Sequence, residues 1–359
     1  PNEILWRDRF DILQRHGYLL RSRFRPGWVP SWKNTDLSPY VTSAKTHSAP
    51  RFVRPQCIDA TRMRDGISVF VKRVVKDAAE TEIQQYLSSD GRKHDPMNHS
   101  CPILDVFRDP DDEDYEYIVL PVLRSFNDPP FYAVVEVLDF MKQTLEGLLF
   151  LHNYTVAHCD CAAPNIMMDG RPLYPEGFHP AHQFKHPTVF GFAEHNKRLY
   201  SPPVKYYFID FGMSTMYNEE WGSDPRKWNT PNGHEQDAPE IRNYSLDKTF
   251  NAYLLDIFVL GKVYEKSLLE HYSNISIIRP IVEGMTREVP EERLALHDAL
   301  AMLSTIRRSL SVFRLRGRLH PMGEIENRTC AKDIRAFLID LPNLFRYFVS
   351  KLLLRAPPS

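Results

Sequence analysis

Two polar segments in the middle of the chain constrain its fold and chemistry more than any other feature. The first runs from His158 to Asn165, directly after an apolar helical pattern, and places Asp160 and Asn165 in one loop. The second is a β-type run that ends at Asp210 and is followed by a Phe-Gly pair, where the chain can turn sharply. Carboxylate and amide oxygens are ligands for hard divalent cations, and a carboxylate can also accept a proton. We therefore expect Asp160, Asn165 and Asp210 to meet at one site.

The secondary-structure pattern divides the chain into a strand-rich part and a later helical part. Strands are predicted over 67–75 and 117–123, and helices over 77–87, 134–152, 250–268 and 293–307. Asp77 can cap the first of these helices. Residues 169–205 have no clear period and contain six prolines and four histidines, which predicts an irregular loop.

These segments resemble the protein-kinase family. The first matches the family's His-Arg-Asp-x-x-x-x-Asn catalytic loop, and the second matches its Asp-Phe-Gly motif. Other segments follow in the family's order: Val69–Lys72 is similar to the strand lysine motif, Glu82 to that lysine's helix partner, Ala238–Glu240 to the Ala-Pro-Glu motif, Asp256 to an anchoring Asp, and Arg293 to the Arg that pairs with the glutamate. The Trp-rich N-terminal segment (1–55) and the Tyr-Pro-Glu-Gly-Phe-His-Pro stretch (174–180) also resemble diverged kinase-like proteins of basidiomycete fungi.

The resemblance implies an α+β, two-lobed fold with ATP bound between the lobes. The small lobe would be residues 56–123, and the large lobe would be 124–310 with an insert at 166–209. An N-terminal extension (1–55) and a C-terminal tail (311–359) would flank them. The apolar pattern at 336–354 predicts a terminal helix packed on the body.

The resemblance also implies a role for each residue of the site. Lys72, paired with Glu82, would reach the α- and β-phosphates of ATP, and Asn165 and Asp210 would hold Mg²⁺. Asp160 would accept the proton of a protein hydroxyl group. The adenine site would comprise Leu120 as gatekeeper with Pro121 and Leu123 of the hinge, and the supporting residues would be His158, Phe211, Gly212, Glu240, Asp256 and Arg293.

Departures from the family pattern limit what can be carried over. The stretch 57–66 contains one glycine where a glycine-rich loop is expected. Strand alternation places Phe70 on the same face as the lysine, where its ring would press into the adenine pocket. Cys159 replaces the Arg that pairs with a phosphorylated activation loop, and Ala162 and Pro164 stand where a Lys or an Arg neutralises the γ-phosphate.

The strand lysine has one alternative. Lys76 could take the role, with Val74 over the adenine, if the frame were shifted. We prefer Lys72 because Lys76 and Asp77 are typical of a turn into the following helix.

Four histidines in the insert suggest a metal site of a different kind. His179, His182, His186 and His195 include a His-x-x-His-x-x-x-His spacing that could bind zinc. The flanking Pro and Phe residues favour a folded surface loop instead.

Composition excludes several classes of protein. The 45 Lys and Arg residues against 46 Asp and Glu give a net charge of −1, which disfavours an electrostatic nucleic-acid binder. Five cysteines cannot all pair within the chain, which favours a reducing compartment. No apolar run reaches 18 residues, so no transmembrane helix is predicted. We expect an intracellular, cytoplasmic protein that acts on a protein substrate, although the chain begins at Pro1 and an N-terminal signal could precede it.

Three functions are compatible with this sequence. An active protein kinase accounts for the acidic positions and the lysine together. A pseudokinase that serves as a binding scaffold accounts for the missing glycines and for Phe70. A small-molecule phosphotransferase of the aminoglycoside-kinase type shares the loop and the strand-end Asp, but that class lacks the Ala-Pro-Glu segment, the anchoring Asp and the late Arg.

Overall fold

A five-stranded antiparallel sheet forms the N-terminal half of the structure. The structure is a computed structural model that describes residues 2–29, 56–219, 222–230, 233–245 and 248–324. The strands are β1 (Tyr18–Leu20), β2 (Cys57–Arg62), β3 (Ser68–Val75), β4 (Asp105–Arg108) and β5 (Tyr115–Pro121), in the order β1-β2-β3-β5-β4. Helix α3 (Ala79–Leu87) follows β3, at the end of the sheet that faces the second half of the molecule.

The first strand comes from the region that the sequence assigns to an N-terminal extension. β1 pairs with β2, and helices α1 (Asn2–Asp8) and α2 (Phe10–Arg15) bury Trp6 and Leu13 in the same core as Val71 and Tyr117. The described part of residues 1–55 therefore belongs to the small lobe. It follows that 57–66 is a strand and a turn rather than the glycine-poor phosphate loop we expected. Residues 30–55 of the β1–β2 connection lie outside the described residues.

Alternation along β3 gives the sheet two different faces. Val69 and Val71 are buried in the lobe core, whereas Phe70 and Lys72 face the other way and line a cleft. Asp77 does not cap α3, because it has a positive φ of 54° and the helix begins two residues later, at Ala79. The strand prediction for 67–75 is correct, and the helix prediction is correct except at its start.

The second half is predominantly helical. Its helices are α4 (Val134–Asn153), α5 (Pro239–Arg242), α6 (Ala252–Tyr264), α7 (Arg279–Met285), α8 (Leu296–Ser309) and α9 (Val312–Arg316), and a π-helical turn, Glu265–Leu269, extends α6. Its short strands are β6 (Arg124–Ser125), β7 (Val156–Ala157), β8 (Ile166–Met168), β9 (Tyr206–Phe208) and β10 (Thr215–Met216). The helical patterns predicted at 134–152, 250–268 and 293–307 are confirmed.

The long helix α4 organises this lobe. Its apolar face buries Leu138, Met141, Leu145 and Leu148 in one large core with residues of α6, α7 and α8. At Gly147 the helix comes so close to His99 that an added Cβ would lie 2.6 Å from the Cβ of His99. The α+β architecture with two lobes is thus as predicted. The predicted terminal helix at 336–354 lies outside the described residues, and none of the described helices is long and apolar enough to cross a membrane.

Candidate active site

The loop after α4 is held in place by a buried carboxylate from α6. Asp256 is fully buried and accepts the backbone N–H of His158 and of Cys159, both at 2.8 Å. Its Oδ2 also lies 3.0 Å from Nε2 of His152 at the end of α4. The loop backbone is therefore fixed by one carboxylate, which explains how Cys159 can be kept at a positive φ of 62°.

His158 connects this loop to the strand end that carries Asp210. Its Nε2 lies 3.1 Å from the carbonyl oxygen of Ile209, and its Nδ1 accepts the N–H of Asp160 at 3.3 Å. Because a carbonyl only accepts, Nε2 carries the proton. Complete burial lowers the pKa of His158, which keeps the imidazole neutral. The ring also packs against Phe211, with 4.9 Å between the ring centroids.

Strand pairing brings the two sequence segments to one edge. Asn165 precedes β8, Asp210 follows β9, and the strands are antiparallel, so the N–H of Ile209 donates to the carbonyl of Asn165 at 2.9 Å. Asn165 also donates through Nδ2 to Oδ2 of Asp160 at 2.7 Å. Asn165 and Asp210, 45 positions apart in sequence, thus come to one polar site through short antiparallel pairing.

One atom at this edge fits a metal ligand. Oδ1 of Asn165 is buried and has no hydrogen-bond partner among the described residues. A buried acceptor without a partner is costly, and it is compensated if a cation binds it. The amide oxygen of Asn165 and the carboxylate of Asp210 are hard ligands of the kind that Mg²⁺ uses when phosphate oxygens complete its coordination. These residues therefore fit a magnesium ion.

Lys72 lies between two carboxylates across the cleft. Its Nζ donates to Oε1 of Glu80 on α3 and, at 2.9 Å, to Oδ1 of Asp210. Burial alone would lower the pKa of Lys72, but Glu80 and Asp210 outweigh it and raise the pKa above its usual value. The ammonium is therefore charged and held in the cleft. Gly212 lies beside this cluster, and a Cβ there would make an ordinary van der Waals contact of 3.5 Å with Oε2 of Glu80.

The prediction that Glu82 pairs with Lys72 is wrong. The helix partner is Glu80, because α3 begins at Ala79 and the first helical turn therefore presents a different residue to the cleft. Residues two positions apart on a helix point in nearly opposite directions, so this small error in the helix start changes the partner.

The alternative lysine lies elsewhere. Nζ of Lys76 is 3.9 Å from Oδ2 of Asp77, which is exposed, and Lys76 does not line the cleft. Val74 is buried. The structure therefore favours the frame with Lys72 in the cleft.

The cleft contains an apolar cavity of about 300 Å³ next to the charged cluster. Its walls come from both lobes and include Cys57, Phe70, Cys101, Leu120, Pro121, Leu123, Met167 and Ile209. Phe70 lies directly across from Leu120 in the β3–β5 register. Its ring forms part of the wall and leaves the cavity open. The volume of this cavity is typical of a small-molecule pocket.

The hinge offers a carbonyl and an N–H at this cavity. Pro121 has a carbonyl but no N–H. The N–H of Leu123 has no hydrogen-bond partner within the described part of the chain. An acceptor and a donor two residues apart can recognise the edge of a planar heterocycle.

The insert forms one wall of this cavity, which sequence reasoning did not foresee. Pro180 and Ala181 line the cavity, and Nε2 of Gln183 donates to the carbonyl of Leu123 at 2.8 Å. Buried Arg124 donates to the carbonyl of Gln183. The insert is therefore attached to the hinge by side-chain hydrogen bonds.

The insert histidines do not converge on a metal site. The rings of His179 and His182 lie 5.6 Å apart, Nδ1 of His186 bonds to Thr188, and His195 packs against Tyr174. Within the described ranges, no group of three or more His, Cys, Asp or Glu side chains could hold a metal ion.

The two cysteines of the loop are buried and unpaired with each other. Sγ of Cys161 donates to the carbonyl of Asp256 at 3.2 Å, and Cys159 packs with Ala157 and Ala252. Burial raises the pKa of both thiols well above the usual value. They therefore remain protonated and act as small core residues.

A buried ion pair holds the distal part of the large lobe. Nη2 of Arg293 lies 2.9 Å from Oε2 of Glu240, and Nη1 bonds to Oε1 of the same carboxylate. Nη1 also donates to the carbonyl of Leu254 at 2.7 Å. The structure thus brings together the two segments that the sequence singled out, 53 positions apart.

The site contains one further residue that the sequence analysis missed. His234, from the segment before α5, donates its backbone N–H to Oδ1 of Asp160 at 2.8 Å, and its Nδ1 lies 2.7 Å from Oδ2. Its position four residues before Ala238 carries no motif signal, so only the folded arrangement reveals this contact.

Comparison with known proteins places this geometry in context. The chain is 24% identical over 243 residues to the probable serine/threonine-protein kinase KKQ8 of Candida glabrata, an alignment that covers 65% of this chain and 26% of the relative. It is 27% identical over 126 residues to the serine/threonine-protein kinase HAL5 of the same yeast, covering 35% of this chain and 11% of the relative. The chain thus spans well under half the length of these curated relatives, and no family model matches it. The similarity, the ordered motifs and the two-lobed architecture agree that the chain contains a protein-kinase-like domain.

Proposed function

We propose that this protein catalyses ATP-dependent phosphoryl transfer to a hydroxyl group of a protein. The single observation that carries the proposal is the bonding of Lys72 to Glu80 and Asp210 at once, across the cleft and beside the free Oδ1 of Asn165. Such a set of charges would otherwise be costly to bury, and it suits a ligand that carries phosphate and a divalent cation.

Each residue has a distinct task in this proposal. Lys72 binds phosphate oxygens of ATP, and Asn165 and Asp210 hold Mg²⁺, which when bound neutralises charge on those oxygens. The hinge carbonyl of Pro121 and the N–H of Leu123 bind the adenine edge. Phosphoryl transfer depends mainly on positioning and charge neutralisation, both of which these residues can supply.

The carboxylate of Asp160 accepts the proton of the substrate hydroxyl group. This carboxylate is fixed by Nδ2 of Asn165 and by the loop that Asp256 anchors. A fixed carboxylate beside the phosphate site orients the hydroxyl oxygen toward phosphorus, which is the larger part of its contribution.

Nucleotide binding is tested by thermal unfolding with ATP, with and without Mg²⁺. We expect Mg-ATP to stabilise the wild type, and Lys72→Met to abolish that stabilisation while the apo protein stays folded. Lys76→Met is the matched control, since this lysine directly follows the same strand but does not line the cleft, and the variant should bind ATP normally. Loss of binding in the control and not in Lys72→Met would show that the lysine is misassigned.

Transfer is tested with radiolabelled ATP on the protein itself and on a degenerate peptide library. Asp160→Asn should lower turnover and retain the thermal shift with Mg-ATP, whereas Asp210→Asn should also lose the Mg²⁺-dependent part of that shift. A wild type that binds Mg-ATP and transfers no phosphate would refute the enzyme proposal.

The second candidate is a pseudokinase that acts as a binding scaffold. The observation that favours it is the insert wall, because Pro180 and Ala181 line the cavity and Gln183 donates a hydrogen bond to the carbonyl of Leu123. A wild type that is not stabilised by any nucleotide, with or without Mg²⁺, would favour this candidate.

A further inference from the structure

The insert occupies one of the polar groups of the hinge. Pro121 and Leu123 both line the cavity, and their main chain carries three polar groups in succession: the carbonyl of Pro121, the N–H of Leu123 and the carbonyl of Leu123. The last of these accepts a hydrogen bond from Nε2 of Gln183 at 2.8 Å. The hinge therefore has one acceptor and one donor to offer a ligand, because its second acceptor is already bonded.

Gln183 is held in position by the residue that follows Leu123. Its main-chain carbonyl accepts a hydrogen bond from the guanidinium of Arg124. Arg124 is 1% exposed, and its Nη2 also bonds to Asp128 at 2.5 Å. The guanidinium lies 4.3 Å from the ring centroid of Tyr174. Gln183 thus bonds to two consecutive hinge residues, through its side chain and through its backbone, and this fixes the direction of its side-chain amide.

Gly170 makes room for this arrangement. A Cβ at Gly170 would lie 2.8 Å from Cδ of Arg124 and 2.9 Å from the ring of Phe178, closer than van der Waals contact allows. The ring of Phe178 lies 4.6 Å from the guanidinium on the insert side. A side chain at Gly170 would therefore displace Arg124, and the contact between insert and hinge is part of the packed structure.

The polar groups of the hinge are complementary to one purine edge in particular. Adenine carries in succession a 6-amino donor, the N1 acceptor and a C2–H that forms no conventional hydrogen bond. The first two match the carbonyl of Pro121 and the N–H of Leu123, so that C2 faces the carbonyl of Leu123. A purine with an amino group at C2 adds a donor at this point, and a donor that loses water without gaining an acceptor weakens binding.

We propose that Gln183 is a specificity-determining residue of the nucleotide site: by occupying the carbonyl of Leu123, it makes the hinge select adenine over purines that carry an amino group at C2. This inference rests on the proposed phosphoryl-transfer function and specifies its nucleotide. A carbonyl oxygen has a second lone pair, but an incoming amino group would have to share that oxygen with a side-chain amide that Arg124 holds in place. The insert thus takes part in nucleotide selection as well as forming a wall of the cavity.

The probe for this inference is the triphosphate of 2,6-diaminopurine riboside, which differs from ATP only by the amino group at C2. Isothermal titration calorimetry with Mg²⁺ measures the Kd of the probe and of ATP for the same protein. We expect the wild type to bind the probe no more tightly than ATP. Tighter binding of the probe by the wild type would show that the carbonyl of Leu123 is available, and it would overturn the inference.

Two substitutions release the carbonyl. Gln183→Met keeps the length of the side chain without its N–H, and Gln183→Glu is nearly isosteric but has no donor when ionised. Each variant should bind the probe about 2- to 10-fold more tightly than ATP, the worth of one neutral hydrogen bond. Both nucleotides are compared on the same variant, so a change in the insert wall that affects them equally cancels. A ratio of the two Kd values that equals the wild-type ratio would overturn the inference.

Gln143→Met is the matched control. Nε2 of Gln143, on α4, donates to the carbonyl of Val204 at 2.9 Å, and Gln143 does not line the cavity. This variant loses a hydrogen bond of the same kind and should keep the wild-type ratio, whereas an equal preference for the probe would show that the effect does not arise at the hinge and would overturn the inference. A wild type that binds neither nucleotide would refute the proposed function and this inference with it. Nucleotide binding with an unchanged ratio in the Gln183 variants refutes this inference alone.

Discussion

The buried pair of Glu240 and Arg293 allows a quantitative test of the fold. The Arg293 side chain is fully buried and that of Glu240 is 4% exposed. The guanidinium also bonds to the carbonyls of Leu254 and Arg287, and it lies 4.7 Å from the ring of Phe258. Removal of the carboxylate therefore leaves a positive charge in a site without access to water.

The expected magnitude follows from these contacts. Glu240→Ala removes two charge-assisted hydrogen bonds, each worth about 1.5–3 kcal/mol, and breaking a buried pair from one side typically costs about 3–5 kcal/mol. We expect a loss of about 3–5 kcal/mol for Glu240→Ala. The double variant Glu240→Leu/Arg293→Met buries no unpaired charge. Its loss of unfolding free energy should therefore be smaller than the summed losses of Glu240→Leu and Arg293→Met. The difference should be about 2 kcal/mol or more, which is the order of coupling found for residues in contact.

Urea unfolding, followed by circular dichroism, measures these free energies. The control is Arg242→Ala. Arg242 lies on the same short helix as Glu240 and pairs with Glu288, but the side chains of Arg242 and Glu288 are 48% and 70% exposed. Such surface pairs contribute about 0–1 kcal/mol. A cost below 1 kcal/mol for Glu240→Ala, or strict additivity in the cycle, would refute the reasoning.

Three further predictions concern the cleft and its support. Glu80→Gln removes a charge-assisted bond to Lys72 worth about 1.5–3 kcal/mol, so calorimetry should show Mg-ATP binding weakened by about 10- to 150-fold. Glu82→Gln should change that affinity by less than about twofold. Equal effects of the two variants would contradict the assignment of Glu80 as the partner of Lys72. Phe70→Ala removes an apolar wall of the cavity and should weaken ATP binding by about tenfold, a loss of about 1.4 kcal/mol of contact, while tighter binding in the same titration would show that the ring obstructs the site. Burial lowers the pKa of His99 to about 4, so between about 6.5 and 4 the unfolded chain binds a proton that the native state excludes. Stability should therefore fall as the pH decreases through that range, by up to about 3 kcal/mol from this group, and a His99→Gln variant that lost stability to acid as steeply in urea unfolding would contradict this.

The sequence by itself determined the features that depend on local order. Strand alternation places Phe70 and Lys72 on one face, and this requires only that residues 67–75 form a strand. The order of the polar segments was sufficient to suggest that Asp160, Asn165 and Asp210 meet, because each stands at the end of a regular element. Helices with a long apolar face, such as α4, were predicted well because their periodicity extends over many residues.

Tertiary structure alone decided the partners of these residues. Glu80 replaces Glu82 because α3 begins where the chain leaves β3, and a helix start depends on backbone geometry that a candidate cap such as Asp77 does not guarantee. The contact of His234 with Asp160 joins residues 74 positions apart. No local propensity encodes such a contact, because its formation depends on how the whole segment packs against the loop.

The insert and the first strand illustrate the same limit on a larger scale. Nothing periodic in 169–205 indicates that Gln183 bonds to the hinge, and the three-residue strand β1 is too short to stand out in a sequence. Both are specified by the surfaces they pack on. Periodicity and spacing therefore determined which residues are candidates for the chemistry. Packing between distant segments decided which of them touch, since those contacts join residues that are far apart in sequence.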